Sequence, residues 1–96
     1  MNVIVVQEKA GAFAENKDTA ATLRNTVVLP TLRAREDLTI DFSGVTGATQ
    51  SFVHALISEA FREFGPEVLD HIVFKGCNAD VSEIVQMVAD YMQESL

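Results

Sequence analysis

Leu38-Thr39-Ile40-Asp41-Phe42-Ser43-Gly44-Val45-Thr46-Gly47-Ala48-Thr49-Gln50-Ser51-Phe52-Val53-His54-Ala55-Leu56-Ile57 is the stretch on which the reading of this chain turns. Leu38, Ile40 and Phe42 alternate with Thr39 and Asp41, the period of a strand with one buried face. Ser43 to Ala48 carries Gly44 and Gly47 and reads as the loop that leaves the strand. From Gln50 or Ser51 the period changes. Val53, Leu56, Ile57, Ala60, Phe61 and Phe64 fall at i, i+3, i+4, i+7, i+8 and i+11, a full apolar stripe along one helix. Gly65 is placed for a left-handed C-terminal cap, and Pro66 prevents continuation. Backbone freedom, hydroxyls and a helix N-terminus thus meet within a few residues, which makes this the candidate working site.

The same pattern extends in both directions. Val3-Ile4-Val5-Val6, within Asn2 to Gln7, is a β-branched run suited to a strand covered on both faces. Gln7 to Gly11 breaks it, and Ala12-Phe13-Ala14 reads as a short second strand in a hairpin with the first, anchored by Phe13. Asn16 to Glu36 reads as helix with Asp18 as its N-cap, and Leu23, Val27, Thr31 and Ala34 follow helical spacing. Pro30 lacks the amide that would bond the carbonyl of Thr26 and crowds that turn, at ~3 kcal/mol, so a kink or a junction of two shorter helices is expected just before it. Arg24, Arg33 and Arg35 read as a solvated face of this helix.

After a connector from Pro66 to Asp70, with Val68 and Leu69 turned inward, Ile72-Val73-Phe74 is a third strand ended by Lys75-Gly76. The last helix runs from about Asp80 to Glu94. Asp80 and Glu83 form its capping box, and Val81, Ile84, Val85, Val88, Ala89 and Met92 repeat the apolar stripe. The order predicts an α/β fold: a small three- to four-stranded sheet in βαβαβα order, with helices covering the sheet and right-handed crossovers between parallel strands. The fourth strand depends on the Phe13 segment pairing with the first. The whole chain, residues 1–96, reads as a single domain.

Composition narrows the function classes. The 96 residues are 48% apolar, which suits a packed globular core. No apolar run approaches the ~20 residues that span a bilayer. Met1-Asn2-Val3 has no basic region and no cleavage site follows it, so no signal peptide is expected. The single cysteine, Cys77, forms no internal disulfide, in keeping with a reducing, cytoplasmic location. A formal charge of −7, from 14 acidic and 7 basic residues, repels phosphate backbones and anionic lipid, so neither nucleic acid nor a membrane is an expected partner.

Candidate chemistry is sparse. Thr49 and Ser51 sit where helix amides and the helix dipole would stabilise a phosphate, and where one of them can simply cap the helix. Asp41 and Lys75 resemble the aspartate and lysine of a phosphorelay receiver. That chemistry also needs paired acids by the first strand, where Gln7-Glu8 offers one carboxylate, and more strand–helix units than this chain supplies. His54 falls at a helix flank and His71 beside a strand, neither at metal-ligand spacing, so no metal site is expected. Ser51 and His54 lack the third group of a nucleophile pair. Cys77 precedes the last helix, a place where a thiol pKa can fall, but has no second cysteine for redox work. Gly44 and Gly47 are not followed by the Lys-Ser/Thr of a phosphate loop. The expectation is a protein with no catalytic residues and no cofactor.

Leu29-Pro30-Thr31-Leu32 on a helix, Ile40-Asp41-Phe42-Ser43-Gly44-Val45, and Ser51-Phe52 opening a helix that carries Glu59-Ala60-Phe61 together resemble the STAS-like domains of unknown function, distant relatives of the STAS domains of anti-sigma-factor antagonists. The likeness runs from about Asp18 to Tyr91. It implies a small α/β domain that works by docking to another protein, with a histidine-kinase-like ATPase as the partner class. In the antagonist branch, a serine at this helix start is phosphorylated and controls partner exchange. The antagonist pattern Asp-Ser-Ser-Gly, laid on this chain, covers Thr49, Gln50, Ser51 and Phe52, so that Gln50 stands at the modified position and Ser51 at the second, unmodified serine. The expected partner-binding residues are Thr46, Gly47, Thr49, Gln50, Ser51 and His54, with Ser51 or Thr49 as the hydroxyl for any phosphorylation. Two alternatives stand beside this regulatory docking module. One is a homo-oligomer that buries the same helix, or the Met87–Met92 end, against a copy. The other is a small-ligand binder with a polar pocket beside Asp41, Thr46 and Ser51.

Overall fold

The structure is a computed structural model that describes residues 2–95; Met1 and Leu96 lie outside the described residues. In chain order the elements are β1 (Asn2–Val5), α1 (Val6–Ala10), β2 (Phe13–Ala14), α2 (Lys17–Leu23), a π-helical turn (Arg24–Val28), α3 (Leu29–Arg33), β3 (Leu38–Asp41), β4 (Gly47–Ala48), α4 (Gln50–Phe64), a 3-10 helix (Pro66–His71), β5 (Ile72–Lys75) and α5 (Ala79–Ser95). The fold is α/β, with a small parallel sheet and flanking helices.

β1, β3 and β5 form one three-stranded parallel sheet in that spatial order. In register, Ile4 lies beside Ile40 and Ile40 beside Phe74, while Val3, Thr39 and Val73 form the adjacent row. Side chains alternate faces along a strand, and the burial follows. Ile4, Leu38, Ile40 and Ile72 are core, but Val3 is 44% exposed and Val73 57%. The strands are laid down in one direction, so right-handed crossovers put the connecting helices on the same face. The β-branched run at Val3–Val6 is therefore not a strand covered on both faces. It lines a sheet with one open side, and its last member, Val6, already belongs to α1 and is fully buried there.

β2 does not form a hairpin with β1. It pairs in parallel with β4, Phe13 beside Gly47 and Ala14 beside Ala48, as a separate two-stranded ribbon. The residues between β1 and β2 are consumed by α1, which carries the chain to the loop that follows β3. Phe13 is 52% exposed and anchors nothing in the core; Ala14 is the buried residue. The four-stranded mixed sheet is accordingly absent among the described residues.

The long helical segment is capped two residues earlier than its acidic residues suggest. Asn16 is the cap, its Oδ1 accepting from the amides of Asp18 at 2.9 Å and Thr19 at 3.1 Å, so Asp18 is a first-turn acid instead. Pro30 is accommodated without a break. The amide of Leu29 donates to the carbonyl of Arg24, one residue further back than in an α-helix, and the widened turn makes room for the Pro30 ring in α3. The arginines do not share one solvated face. Arg24 reaches the carbonyl of Ala55 at 3.3 Å, Arg33 makes a two-pronged bond to Glu63 at 2.7 Å on both arms, and Arg35 lies past the helix end.

α4 packs against both α2 and α5. Phe52, Val53, Leu56, Ile57, Ala60 and Phe61 are fully buried along it, and Phe42, Phe52 and Phe61 are the largest side chains in the core. Gly65 closes α4 with the positive φ expected of a glycine cap, 83°, though with an extended ψ of −179°, and its amide donates to the Phe61 carbonyl at 2.8 Å. α5 is capped by Asn78, not by Asp80: the amide of Val81 donates to Asn78 Oδ1 at 2.8 Å. Among the described residues, no helix is long and apolar enough to cross a membrane.

Candidate functional site

β3 delivers the chain to the site with Asp41. The amide of Ser43 donates to Asp41 Oδ1 at 2.9 Å. Bonds from the Ser43 side chain and amide, with a lesser contribution from the Lys75 charge, hold the Asp41 carboxyl below the usual carboxylate range. Lys75 is the register partner of Asp41 on β5. Gly76 lets the next strand end close by, since a Cβ there would stand 2.8 Å from the Ser43 amide nitrogen and 3.0 Å from Asp41 Oδ1. Burial, and then the nearby Asp41 charge, push the Cys77 thiol above its ordinary value. The position before α5 thus does not lower the thiol as a helix start can, and Asn78 occupies the cap.

The loop from Val45 to Thr49 is pinned on two sides. The Thr46 amide and hydroxyl both donate to the carbonyl of Ala12, at 2.7 and 3.1 Å, and the Thr49 amide donates to that of Ala14 at 2.9 Å. From the other side Asn78 Nδ2 donates to the Thr46 carbonyl at 3.0 Å. The Phe13 ring lies on Gly47, where an added Cβ would come within 2.8 Å of its Cε1. Val45 and Ala48 point into the core, Thr46 is exposed, and Gly47 and Thr49 are partly exposed.

At the helix start the two hydroxyls have different roles. Thr49 Oγ1 accepts from the amide of Phe52 at 3.1 Å and is the N-cap of α4. Ser51, two residues on, is exposed, as is Gln50. His54 follows one turn later, half-buried, its ring 6.4 Å from that of Tyr91 at 57°. Gln50, Ser51 and His54 line a groove of about 420 Å³ together with Lys17 of α2 and Val88 and Tyr91 of α5.

The structure therefore divides the expected site. Gln50, Ser51 and His54 share the groove. Thr46 and Gly47 are occupied with Ala12, Phe13 and Asn78 and stand outside it, while Thr49 is the hinge between the two as the cap. Lys17, Tyr91 and Asn78 were not among the residues singled out from the sequence. Tyr91 carries a legible signal, being a large aromatic one position off the buried stripe of α5 beside Met92. Lys17 reaches the groove only because α2 packs on α4.

No three His, Cys, Asp or Glu side chains come together as a metal-binding group among the described residues. The strand order also runs without reversal. Among the described residues it has no switch point, the place where open α/β sheets form a ligand crevice at their carboxyl ends.

A family model described as a STAS-like domain of unknown function matches residues 19–82. No curated protein and no solved structure gives a match. The matched segment starts in the first turn of α2 and ends in the first turn of α5, and so contains β3, the pinned loop and the whole of α4. The chain belongs to the family of STAS-like domains of unknown function.

Proposed function

We propose that this protein is a non-catalytic, cytoplasmic regulatory module that docks a partner protein through the start of α4. The observation that carries the reading is the groove at that helix start, where exposed Gln50 and Ser51 and half-buried His54 converge with Lys17 and Tyr91. The loop beneath is held by hydrogen bonds from two directions, so the surface is preorganised and little ordering entropy would be lost on binding. A histidine-kinase-like ATPase is the partner class that the family resemblance suggests. If phosphorylation regulates the contact, Ser51 is the acceptor, because the Thr49 hydroxyl is engaged with the Phe52 amide.

The test is site-specific photo-crosslinking in the native cell, with a benzophenone side chain at position 50 and, as a control, at position 73 on the open sheet face. Adducts to a second protein at position 50 and not at 73 support the reading. Adducts at 73 alone, or at neither position, overturn it.

A second reading is self-association through α5, favoured by Met87 at 43% and Tyr91 at 57% exposure on that helix. Light scattering across a dilution series separates the two, since a mass that falls on dilution belongs to the homo-oligomer.

A further inference from the structure

The groove beside the helix start has a charge pattern opposite to that of the chain as a whole. The protein carries 14 acidic and 7 basic residues, yet among the described residues no carboxylate lines the groove, whose charged member is Lys17, with the His54 ring beside it. Arg24 lies about two helical turns beyond Lys17 and so on the same side of that helix. It is tethered at the groove wall, Nη1 donating to the carbonyl of Ala55 at 3.3 Å and Nε to Asn25 Oδ1 at 3.2 Å. Lys17 has no carboxylate within ion-pair distance among the described residues. The opposite wall is apolar, with buried Val88 and the exposed ring of Tyr91 set against His54.

We propose that this groove receives an acidic, amphipathic segment of the partner protein. Its carboxylates lie along Lys17, Arg24 and His54, and a large apolar side chain rests on Ala55, Val88 and the Tyr91 ring. The inference rests on the docking reading above and adds the chemistry of what docks. A basic segment would meet Lys17 and Arg24 with like charge. Nucleic acid, though anionic, would have to approach a surface of net charge −7. Exposed charges at such a rim set orientation and on-rate and are screened by salt, while the apolar wall supplies the hold. Lys17, Val88 and Tyr91 fall outside the residues matched by the family model, so this chemistry is not supplied by the family description.

The experiment is selection of a random peptide library displayed on phage against the full chain, followed by fluorescence anisotropy on the synthesised winners. The expected winners are net acidic with at least one large apolar residue. Their affinity falls on added salt and drops about tenfold in Lys17→Glu and again in Tyr91→Ala, tenfold being about 1.4 kcal/mol. Both residues are exposed, and a glutamate in the first turn of α2 suits the helix dipole, so both variants are expected to melt like the parent. Neutral or basic winners that still depend on Tyr91 overturn the acidic chemistry and leave the docking reading standing. Winners indifferent to Tyr91→Ala and Gln50→Arg count against both. Failure to enrich any peptide overturns this proposal, and crosslinking at position 50 then judges the docking reading separately. A single-stranded oligonucleotide that binds as tightly as the winners, and is lost in Lys17→Glu, would assign the groove to nucleic acid instead.

Discussion

Asn78 and Thr46, separated by 32 positions in the chain, are joined by a 3.0 Å bond from Asn78 Nδ2 to the Thr46 carbonyl, while Asn78 Oδ1 accepts from the amide of Val81 at 2.8 Å. One side chain thus caps α5 and holds the loop that leads into α4. Asn78→Ala should lose the cap, ~1 kcal/mol, and the loop bond, about 1 kcal/mol more. Asn78→Asp keeps the acceptor for Val81 but has no donor for Thr46, so it should lose only the second part. Urea denaturation of the three proteins measures this, with amide exchange at Thr46 as the local readout. No loss in Asn78→Asp would mean that the Thr46 bond contributes nothing, and equal losses in the two variants would mean the same of the cap.

The hydroxyls at the helix start should separate in the same assay. Thr49→Ala removes the acceptor of the Phe52 amide and is expected to cost about 1 kcal/mol. Ser51→Ala alters an exposed side chain outside the cap and should stay within about 0.5 kcal/mol of the parent. A comparable loss at Ser51 would show that it shares the capping role and is not free for recognition.

Arg35 closes α3 in a conformation that suits glycine. Its φ is 62°, and the bonds from its amide to Leu32 at 3.0 Å and from Glu36 to Thr31 at 3.1 Å form a Schellman motif. Arg35→Gly relieves the Cβ penalty of the left-handed region, so the variant should be more stable by about 0.5–1 kcal/mol despite the extra freedom of its unfolded chain. A rise in thermal midpoint checks it; a fall would mean that the arginine side chain contributes more than its backbone conformation costs.

Acid should unfold the protein in part through two carboxylates whose native pKa values are depressed. Glu63 is held low foremost by its hydrogen bond from Arg33, and Asp41 by its bonds from Ser43. Between the native pKa and the unfolded value of about 4, the unfolded chain binds more protons, so stability rises with pH across that window. Both contributions are present above that value and fade as pH falls through the native pKa. Glu63→Gln should flatten the loss of stability as pH falls below about 4, read from urea midpoints. Glu63 is exposed and Asp41 partly exposed, so the change is expected to be small. An unchanged slope would show that the pair with Arg33 is not maintained in solution.

Elements with strong periodicity were legible in the residues. Leu38, Ile40 and Phe42 alternate because a strand with one buried face must, and the stripes from Val53 to Phe61 and Val81 to Met92 repeat at the helical period. Their ends were less legible. Both Asp18 and Asp80 have the chemistry of a cap, yet Asn16 and Asn78, two residues earlier in each case, hold that position. Which of two adjacent cap-formers is used depends on where the incoming chain leaves the extended conformation. Short segments were worse placed. Ala12-Phe13-Ala14 has strand character, but its partner across the ladder is set by where α1 and the loop after β3 meet, not by the nearest strand in sequence.

Hydrophobic period and the turn from strand through loop to helix were written in the chain itself, because each depends on residues close together along it. The tertiary structure decided what depends on distant residues: that one face of the sheet stays open, that Thr46 and Gly47 are spent on Ala12, Phe13 and Asn78, and that Lys17 and Tyr91 arrive beside Ser51 and His54. Packing of α2 and α5 on α4 brings those side chains to one groove, and no local pattern encodes the angle at which helices settle on a shared core.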